Sequence, residues 1–379
     1  MAGAAPIDPS VRLVELGWDA VRAAEFGEHA ATGLVPGRVI AVHREVSVVA
    51  AAGGDLSGTV SGRFRFDAIG PADYPAVGDW VGLDTTTEGS GSDQASIVVV
   101  LPRRSAFTRS ASDSNRRGSG RIVDEQVIAA NVDRAFLVSG LDGDFNLRRL
   151  ERYLAVAAAS GVEPVIVLNK SDVARDLAGR LGGIAAIAPD VPVVALSALT
   201  RAGLAELEPY LAPGTTAVIL GSSGVGKSTL VNALLGEARQ SVAEVRASDS
   251  RGRHTTTHRE LFTLPGGALL VDTPGIRSLE VFGAEAGVDE AFDDIAELAA
   301  ACRFTDCRHN GEPGCAVGAA IASGDLAPER LESQRKLERE LDHGVRKGDP
   351  VAQAAERRRW KAIHKSVGRH MKYKYGDDQ

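Results

Sequence analysis

Eight consecutive residues match the pattern Gly-x-x-x-x-Gly-Lys-Ser, a combination of residue types suited to binding phosphate. The pattern predicts that an apolar strand over 217–220 leads into the loop and that a helix over 227–235 leaves it. Its glycines allow the backbone to wrap closely around phosphate oxygens, so that N–H groups and the helix N-terminus face the negative charge. We expect Lys227 to reach the β- and γ-phosphates of a nucleotide and Ser228 to ligate Mg²⁺. The predicted nucleotide-binding residues here are Gly221, Ser222, Ser223, Gly224, Val225, Gly226, Lys227, Ser228 and Thr229.

A second motif indicates the base of that nucleotide. The tetrapeptide Asn169-Lys170-Ser171-Asp172 follows a predicted strand over 164–168. The carboxylate of Asp172 can accept hydrogen bonds from N1–H and the exocyclic amine of guanine. Adenine lacks this donor pair and would leave the carboxylate unpaired, which is costly. The dipeptide Ser197-Ala198 follows the next predicted strand, over 192–196, and is interpreted as a backbone contact to the guanine carbonyl.

Two further segments are typical of the switches that respond to a γ-phosphate. The tetrapeptide Asp272-Thr273-Pro274-Gly275 follows a predicted strand over 268–271. Its Asp is expected to hold Mg²⁺ through water, and the N–H of Gly275 to contact the γ-phosphate. The upstream segment 251–257 contains three threonines, and Thr255 or Thr256 is expected to complete the Mg²⁺ shell. The residues do not decide between these two.

The order of these motifs is permuted. Ordinary GTPases place the phosphate loop and both switches before the guanine motifs, whereas here the guanine motifs at 169–172 and 197–198 come first. The same sheet forms if the old chain ends are joined and new ends are opened elsewhere. Because switch II then leads directly into the C-terminal region, loss of the γ-phosphate is expected to move that region.

The residue that positions the attacking water is not evident. Ras-like enzymes use a Gln directly after the switch II Gly, but here that position is Ile276, which cannot orient water. His254, within switch I, is the candidate for this role, and the alternative is that it is a solvated loop residue. We predict slow intrinsic hydrolysis that a partner stimulates.

All three cysteines of the chain lie close to one histidine. The spacing is Cys302-x4-Cys307-x-His309-x5-Cys315, and a Cys₃His set is a standard tetrahedral zinc site. Four protein ligands leave no open position, so the predicted metal is structural rather than catalytic. The alternative is a group of buried or redox-active thiols.

The elements that must position these residues follow from the remaining pattern. Five short strand-like runs separated by turns predict a β-barrel of the OB-fold type, with an SH3-like barrel or a purely structural β-domain as the alternative. These runs cover 38–43, 46–51, 58–64, 79–83 and 96–101. Alternating strands and helices, beginning with an apolar strand over 135–139, then predict a parallel sheet with helices on both faces. Ligands bind such sheets at the carboxyl ends of the strands. The predicted organisation is a leader (1–34), a barrel (35–103), a flexible linker (104–121), an α/β P-loop GTPase domain (122–284) and a helical zinc domain with a basic tail (285–379).

Composition limits the class of protein. The 379 residues are 44% hydrophobic and 25% charged, which is typical of a folded soluble protein. The formal net charge is −7, yet residues 356–375 hold eight Lys or Arg and one acid, which indicates either an end that faces nucleic acid or a solvated helical face. Few cysteines, no signal peptide and no long apolar run predict a cytoplasmic protein that does not enter a membrane.

Together these motifs resemble the RsgA (YjeQ) family, the GTPases that depend on the small ribosomal subunit. The segment 126–133 is also similar to the family's entry into its GTPase domain, and the likeness covers roughly 35–365. The resemblance implies an OB-fold, a circularly permuted GTPase core and a zinc domain. It also implies that the protein binds the small subunit and its rRNA late in assembly, that the subunit stimulates conversion of GTP to GDP, and that it acts as a monomer.

Three other functions remain open from the residues. An RNA-binding module gated by guanine nucleotide, with negligible turnover, would account for Ile276. A metabolic or signalling GTPase would have no ribosomal partner, but the barrel and the basic end argue against it. A redox sensor based on zinc-bound thiols is the most distant alternative.

Overall fold

The computed structural model describes residues 9–43, 45–86, 93–111, 124–236, 259–272 and 285–348. Within these ranges, eleven strands form one continuous sheet whose order is β10-β9-β8-β11-β13-β12-β1-β2-β3-β5-β4, numbered along the chain. The first half of that order is the central parallel sheet, and the second half is an N-terminal barrel. The two halves meet where β1 (Val35–His43) pairs with β12 (Arg259–Thr263).

The described part of the N-terminal barrel contains five strands. Strand β1 pairs with both β2 and β4, so the order β1-β2-β3-β5-β4 closes on itself, and β3 and β5 are parallel. A barrel closed in this way, with a helix between the third and fourth strands, is consistent with the predicted OB-fold. Its elements besides β1 are β2 (Val46–Ala51), β3 (Gly54–Val60), α3 (Gly62–Asp67), β4 (Trp80–Asp84) and β5 (Gln94–Val100).

One predicted barrel strand is shorter than its sequence interpretation. The predicted strand over 58–64 ends at Val60, because the Ser61 side chain accepts a hydrogen bond from Phe64 N–H and begins α3. The described part of the leader forms helices α1 (Pro9–Glu15) and α2 (Ala20–Ala30). The buried Arg22 of α2 donates to Asn131 Oδ1 at 2.6 Å, which holds these helices to the rest of the molecule.

The segment 104–121, predicted as a flexible linker, begins with a strand. Residues Ala106–Ala111 form β6, which pairs with β7 (Asp124–Ala130) in a separate two-stranded sheet. Phe107 of β6 is fully buried. A single apolar anchor among Arg and Ser residues is a weak strand signal, so composition favoured a linker there. Residues 112–121 lie outside the described part of the chain.

The central sheet contains the predicted strand pattern. Strands β10, β9, β8, β11 and β13 are mutually parallel, and β12 is antiparallel to β13. The strands predicted at 135–139, 164–168, 192–196, 217–220 and 268–271 are therefore confirmed. Their bounds are β8 (Arg134–Gly140), β9 (Glu163–Asn169), β10 (Val193–Ala195), β11 (Thr216–Gly221) and β13 (Leu269–Asp272), and the helices are α4 (Leu147–Ala159), α5 (Leu177–Ala185) and α6 (Lys227–Leu235).

The described C-terminal region is helical, as predicted. It contains α7 (Glu285–Ala291), α8 (Asp293–Ala300), α9 (Ala316–Ser323) and α10 (Pro328–Gly348). Helix α7 packs so closely on α4 that a Cβ at Gly287 would lie 2.3 Å from the carbonyl oxygen of Ala155. The basic stretch 356–375 lies outside the described residues. Across the described ranges, no helix combines the length and the apolar character needed to cross a membrane.

Candidate nucleotide site and metal cluster

The glycine-rich loop joins the end of β11 to the start of α6, as the sequence predicts. Gly224 and Gly226 have φ values of +79° and +96°, a region that residues with a Cβ rarely adopt. A Cβ at Gly226 would also lie 2.4 Å from Asn169 Nδ2, and one at Gly221 would lie 2.6 Å from the carbonyl oxygen of Val138. Conformation and close packing both require glycine here, so the loop is held tightly against the strand ends.

The Lys227 side chain lies within the loop that precedes it. Its ammonium donates to the carbonyl oxygens of Gly221 at 2.8 Å and Ser222 at 2.5 Å. Ser228 and Thr229, both half-buried, follow in the first turn of α6. The N–H groups of this turn have no partner within the helix, so the positive end of α6 is directed at the loop.

Asn169 connects three of the predicted motifs. Its side chain is only 2% exposed, its Nδ2 donates to the Val225 carbonyl at 2.9 Å, and its Oδ1 accepts from the Ala198 N–H at 2.9 Å. One buried amide thus binds the end of β9 to the phosphate loop and to the Ser197-Ala198 segment. Ser197 is itself fully buried and accepts from the Thr200 N–H at 3.2 Å. The structure therefore brings these three sequence-predicted segments together.

After Asn169 the backbone turns sharply toward the phosphate loop. Lys170 has φ +66°, and its ammonium donates to Asp142 Oδ2 at 2.6 Å and to the Gly224 carbonyl at 2.8 Å. The N–H of Ser171 donates to the Leu196 carbonyl at 3.1 Å. Asp172 follows in a short 3-10 turn over Ser171–Val173 with its carboxylate exposed, where a base could meet it.

Two acidic residues of the site were missed in the sequence. Asp142 and Asp144 follow β8; Asp144 accepts a hydrogen bond from Ser222 Oγ and pairs with Arg149 Nη1 at 2.8 Å. Burial raises the pKa of Asp142, but the hydrogen bonds from Lys170 and the Asp144 N–H and the charge of Lys170 together outweigh burial, so that pKa is lowered. The sequence did contain a signal for these two residues. Because β8 is parallel to β9 and β11, its carboxyl end lies at the same edge of the sheet as the phosphate loop.

The remaining switch residues are only partly described. Strand β13 runs parallel to β11 and ends at Asp272, which places that residue's backbone at the loop edge of the sheet. His254, Thr255, Thr256 and Gly275 lie outside the described residues, as does Ile276.

The cysteines and histidine predicted to bind metal do converge. One ligand atom from each of Cys302, Cys307, His309 and Cys315 lies within 4.8 Å of all the others. His309 Nδ1 is 3.7 Å from Cys302 Sγ and 3.4 Å from Cys315 Sγ. Tetrahedral zinc holds its sulfur and nitrogen ligands at about 2.0–2.3 Å, so donors this close to one another suit one ion. The cluster can hold a metal such as zinc.

Backbone N–H groups donate hydrogen bonds to two sulfurs of the cluster. The N–H groups of Ala316 and Gly318 donate to Cys302 Sγ at 3.3 Å and Cys315 Sγ at 3.2 Å. Burial raises the pKa of Cys302, but hydrogen bonds from backbone N–H groups and from the neighbouring thiols together outweigh burial and lower that pKa. The N–H of His309 lowers the pKa of Cys307, yet burial and the neighbouring thiols raise it to about 11. Metal ligation requires deprotonated sulfur. A bound cation would favour the thiolate forms and so offset the raised pKa of Cys307.

Known proteins place this chain in a family. The RsgA GTPase family model matches residues 100–282. The small ribosomal subunit biogenesis GTPase RsgA of Opitutus terrae is 49% identical over 358 residues, which cover 93% of this chain and 96% of that protein. The chain belongs to the RsgA GTPase family. The RsgA of Streptomyces coelicolor is 45% identical over 352 residues, 92% of each chain.

Solved structures agree with the RsgA assignment. The crystal structure of YjeQ from Thermotoga maritima matches with a TM-score of 0.60 at 28% identity, over 81% of this chain and 98% of that one. YloQ, described as a circularly permuted GTPase, shares the fold with a TM-score of 0.56 at 24% identity, over 82% and 96% of the two chains. The permuted order inferred from the motifs is thus also that of the fold. As an RsgA protein, the chain is a GTP hydrolase, which confirms the predicted enzyme class.

Proposed function

We propose that this GTPase acts in the cytoplasm on the small ribosomal subunit, where it binds rRNA and hydrolyses GTP late in subunit maturation. The observation that carries the proposal is the single buried amide of Asn169, which joins the phosphate loop to both guanine motifs. The relatives supply the partner, because proteins 49% and 45% identical to this chain are small ribosomal subunit biogenesis GTPases. We expect the protein to act as a monomer.

The proposed nucleotide contacts follow the motifs. Asp172 selects guanine, while Ser197 and Ala198 contact the guanine carbonyl. Lys227 and the N–H groups of 221–229 bind the phosphates. Mg²⁺ would neutralise charge on the β- and γ-phosphates when bound. Its site would be formed by Ser228, by Asp272 through water and by one of the two switch I threonines, and the half-buried Ser228 and the strand end at Asp272 are compatible with such a site.

The proposed catalytic contacts explain why a partner is needed. Ile276 cannot orient water, so His254 is proposed to do so once switch I is ordered. Gly275 is proposed to contact the γ-phosphate through its N–H. Intrinsic turnover is then slow, and the subunit accelerates it by fixing the switch segments in place.

The proposed metal is one structural zinc ion per chain. Its ligands are Cys302, Cys307, His309 and Cys315, whose donor set leaves no open coordination position. Zinc is thus expected to maintain the fold of the C-terminal region rather than to take part in hydrolysis.

GTP turnover by the full chain, with and without purified small subunits, tests the proposal. We expect the small subunit to raise turnover at least about tenfold, and Lys227→Ala to remove both rates, since transition-state charge stabilisation is lost. Purified large subunits are the matched control. Equal rates with and without small subunits, with GTP still bound, would refute the proposed partner while leaving the nucleotide site intact.

Base selection has a separate test. Asp172→Asn should reduce the preference for GTP over ATP by about 100-fold, because the carboxylate no longer accepts from the guanine donors. Asp190→Asn, at an exposed acid far from the loop, is the control. Unchanged discrimination in Asp172→Asn would show that the base binds elsewhere.

A further inference from the structure

A groove of about 770 Å³ lies between the central sheet and the C-terminal helices. It is far from the nucleotide loop, because it opens at the end of α4 and the start of β9. Its floor is mostly apolar, and Leu154, Val162, Ile187 and Val191 contribute to it. Its rim carries six carboxylates, which belong to Glu163, Asp190, Glu290, Asp293, Asp294 and Glu297. We call it the acidic groove.

Most of that negative charge is not neutralised within the described chain. Glu163 pairs with Arg134, and Asp294 pairs with the nearly buried Arg330 at 2.6 Å. The other four rim acids make no ion pair with any residue in the described ranges, and all four are exposed. Four like charges around an apolar floor repel one another, so this surface favours a partner that is both cationic and apolar.

One segment of the same chain has that character. Residues 356–375, here called the basic segment, carry eight Lys or Arg against one acid. Within them, Trp360, Ile363, Val367 and Met371 recur at intervals of three and four. In a helix this spacing would put the four apolar side chains on one face with basic residues around it. Such a face complements an apolar floor with an acidic rim.

The chain is long enough for the two to meet. Helix α10 begins at Pro328 beside the groove, where Arg330 lines it, and runs for 21 residues to Gly348. That helix is about 30 Å long. The twelve residues from Gly348 to Trp360 can span up to about 40 Å, so the basic segment can return along α10 to the groove. A tether of this length also gives a high effective concentration.

We propose that the basic segment docks into the acidic groove of its own chain. The apolar residues at 360, 363, 367 and 371 occupy the floor, and the Lys and Arg side chains face the four unpaired rim acids. RNA phosphates compete for the same cations, so the docked segment is released when the protein meets a strong polyanion. The C-terminal end is thereby shielded from weak, non-specific RNA contacts.

Limited trypsin digestion of the full chain tests the docking, with cleavage after each Lys and Arg of 357–374 followed by mass spectrometry. The variant E290Q/D293N/E297Q neutralises three rim acids and should be cleaved about tenfold faster in the basic segment. Its weaker ion pairs raise the fraction of molecules in which the segment is undocked and accessible to trypsin. The matched control is E28Q/E206Q/E208Q, which removes three exposed acids elsewhere and should leave the rate unchanged. Equal cleavage in the wild type and the rim variant would overturn the proposal.

Two further measurements keep the result specific. I363S, within the segment, should raise cleavage at the flanking Lys and Arg about as much as the rim change, and no change would count against apolar docking. The cleavage rate of the wild type should be the same at about 0.1 and about 10 µM protein. Between these two concentrations the fraction of protein in a weak dimer would change. Protection that is lost on dilution would assign the groove to a second copy and overturn docking within one chain.

Discussion

The nucleotide site and the cysteine cluster are held in place by different means. Gly221 and Val225 of the phosphate loop are buried, and Asn169 ties the loop to two strand ends of the central sheet. In contrast, every residue over 301–314 is at least partly exposed, and the four ligand atoms of the cluster converge at this exposed loop. One site is positioned by a packed sheet, and the other by the residues that would bind its metal.

This difference predicts how each site responds to damage. A site at the ends of buried parallel strands keeps its geometry without a ligand, because the hydrophobic core that positions it is independent of the nucleotide. A loop without buried apolar residues cannot offset the entropy of ordering its chain, so its structure depends on the metal. We therefore expect metal loss to act locally in the C-terminal region.

The largest expected effect comes from the metal ligands. Cys307→Ala should reduce zinc from one ion per chain to near zero and disorder 301–315, since zinc contributes on the order of 10 kcal/mol to folding of such loops. Elemental analysis by mass spectrometry measures the metal, and amide exchange measures the disorder. GTP affinity should change less than about twofold, because the sheet is independent of the cluster.

The control for that variant is Thr305→Ala, an exposed position in the same loop that should retain its metal. Full metal content in Cys307→Ala would contradict the ligand set. A large loss of GTP affinity would instead show that the two sites depend on one another, which would remove the contrast between them.

The next largest effect lies at the boundary between the two regions. Arg330 of α10 is nearly buried and binds Glu151 of α4 at 2.9 Å and Asp294 at 2.6 Å. Glu151→Ala should destabilise the packing of α7–α10 on α4 by about 3 kcal/mol, because half of a buried ion pair is removed. Amide exchange of these helices should then be about 100-fold faster.

The double variant Glu151→Ala with Arg330→Met should regain part of that stability, because it also removes the buried Arg330 charge that has lost its Glu151 partner. A single variant with wild-type exchange rates would show that the C-terminal helices are held by other contacts. Either outcome shows whether the C-terminal helices are held by their packing on the sheet domain or belong to the region whose structure depends on the metal.

The sequence predicted the nucleotide site better than its surroundings for a physical reason. Motifs that begin where apolar strands end, such as Asn169 at the end of β9 and Gly221 at the end of β11, must lie at one edge of a parallel sheet. Local periodicity therefore sufficed to bring them together. The cysteine spacing likewise implied its own geometry, because a metal requires its ligands to converge.

Contacts between distant segments were not predictable in this way. The pairing of β1 with β12 joins residues about 220 positions apart, and no local pattern encodes it. Strand β6 was read as linker because its one buried apolar anchor, Phe107, stands among polar residues. Asp142 and Asp144 match no motif, and their role depends on the tertiary position of Lys170 and Ser222.

A smaller effect is expected for the amide that unites the nucleotide motifs. Asn169→Ala removes the hydrogen bonds to Val225 and Ala198 and leaves a buried carbonyl and a buried N–H without those partners. We expect GTP affinity to fall about 30-fold, equivalent to about 2 kcal/mol. Isothermal titration with GTP measures this, and metal content should stay at one ion per chain. Unchanged affinity would mean that strand packing alone aligns the motifs.

The smallest effect should come from the Asp142–Lys170 ion pair, and it is visible through pH. Since the folded pKa of Asp142 is lowered, the pair stabilises the site above the usual carboxyl pKa of about 4 and is lost as pH falls through the lowered value. The carboxylate is about one-third exposed, so the contribution should remain below about 1 kcal/mol. Asp142→Asn should thus lower the thermal stability slightly at pH 7, and the difference from wild type should shrink between pH 4 and 3. A difference that is the same at both pH values would show that the Asn substitution acts through shape rather than charge, and that the ion pair does not hold Lys170 at the loop.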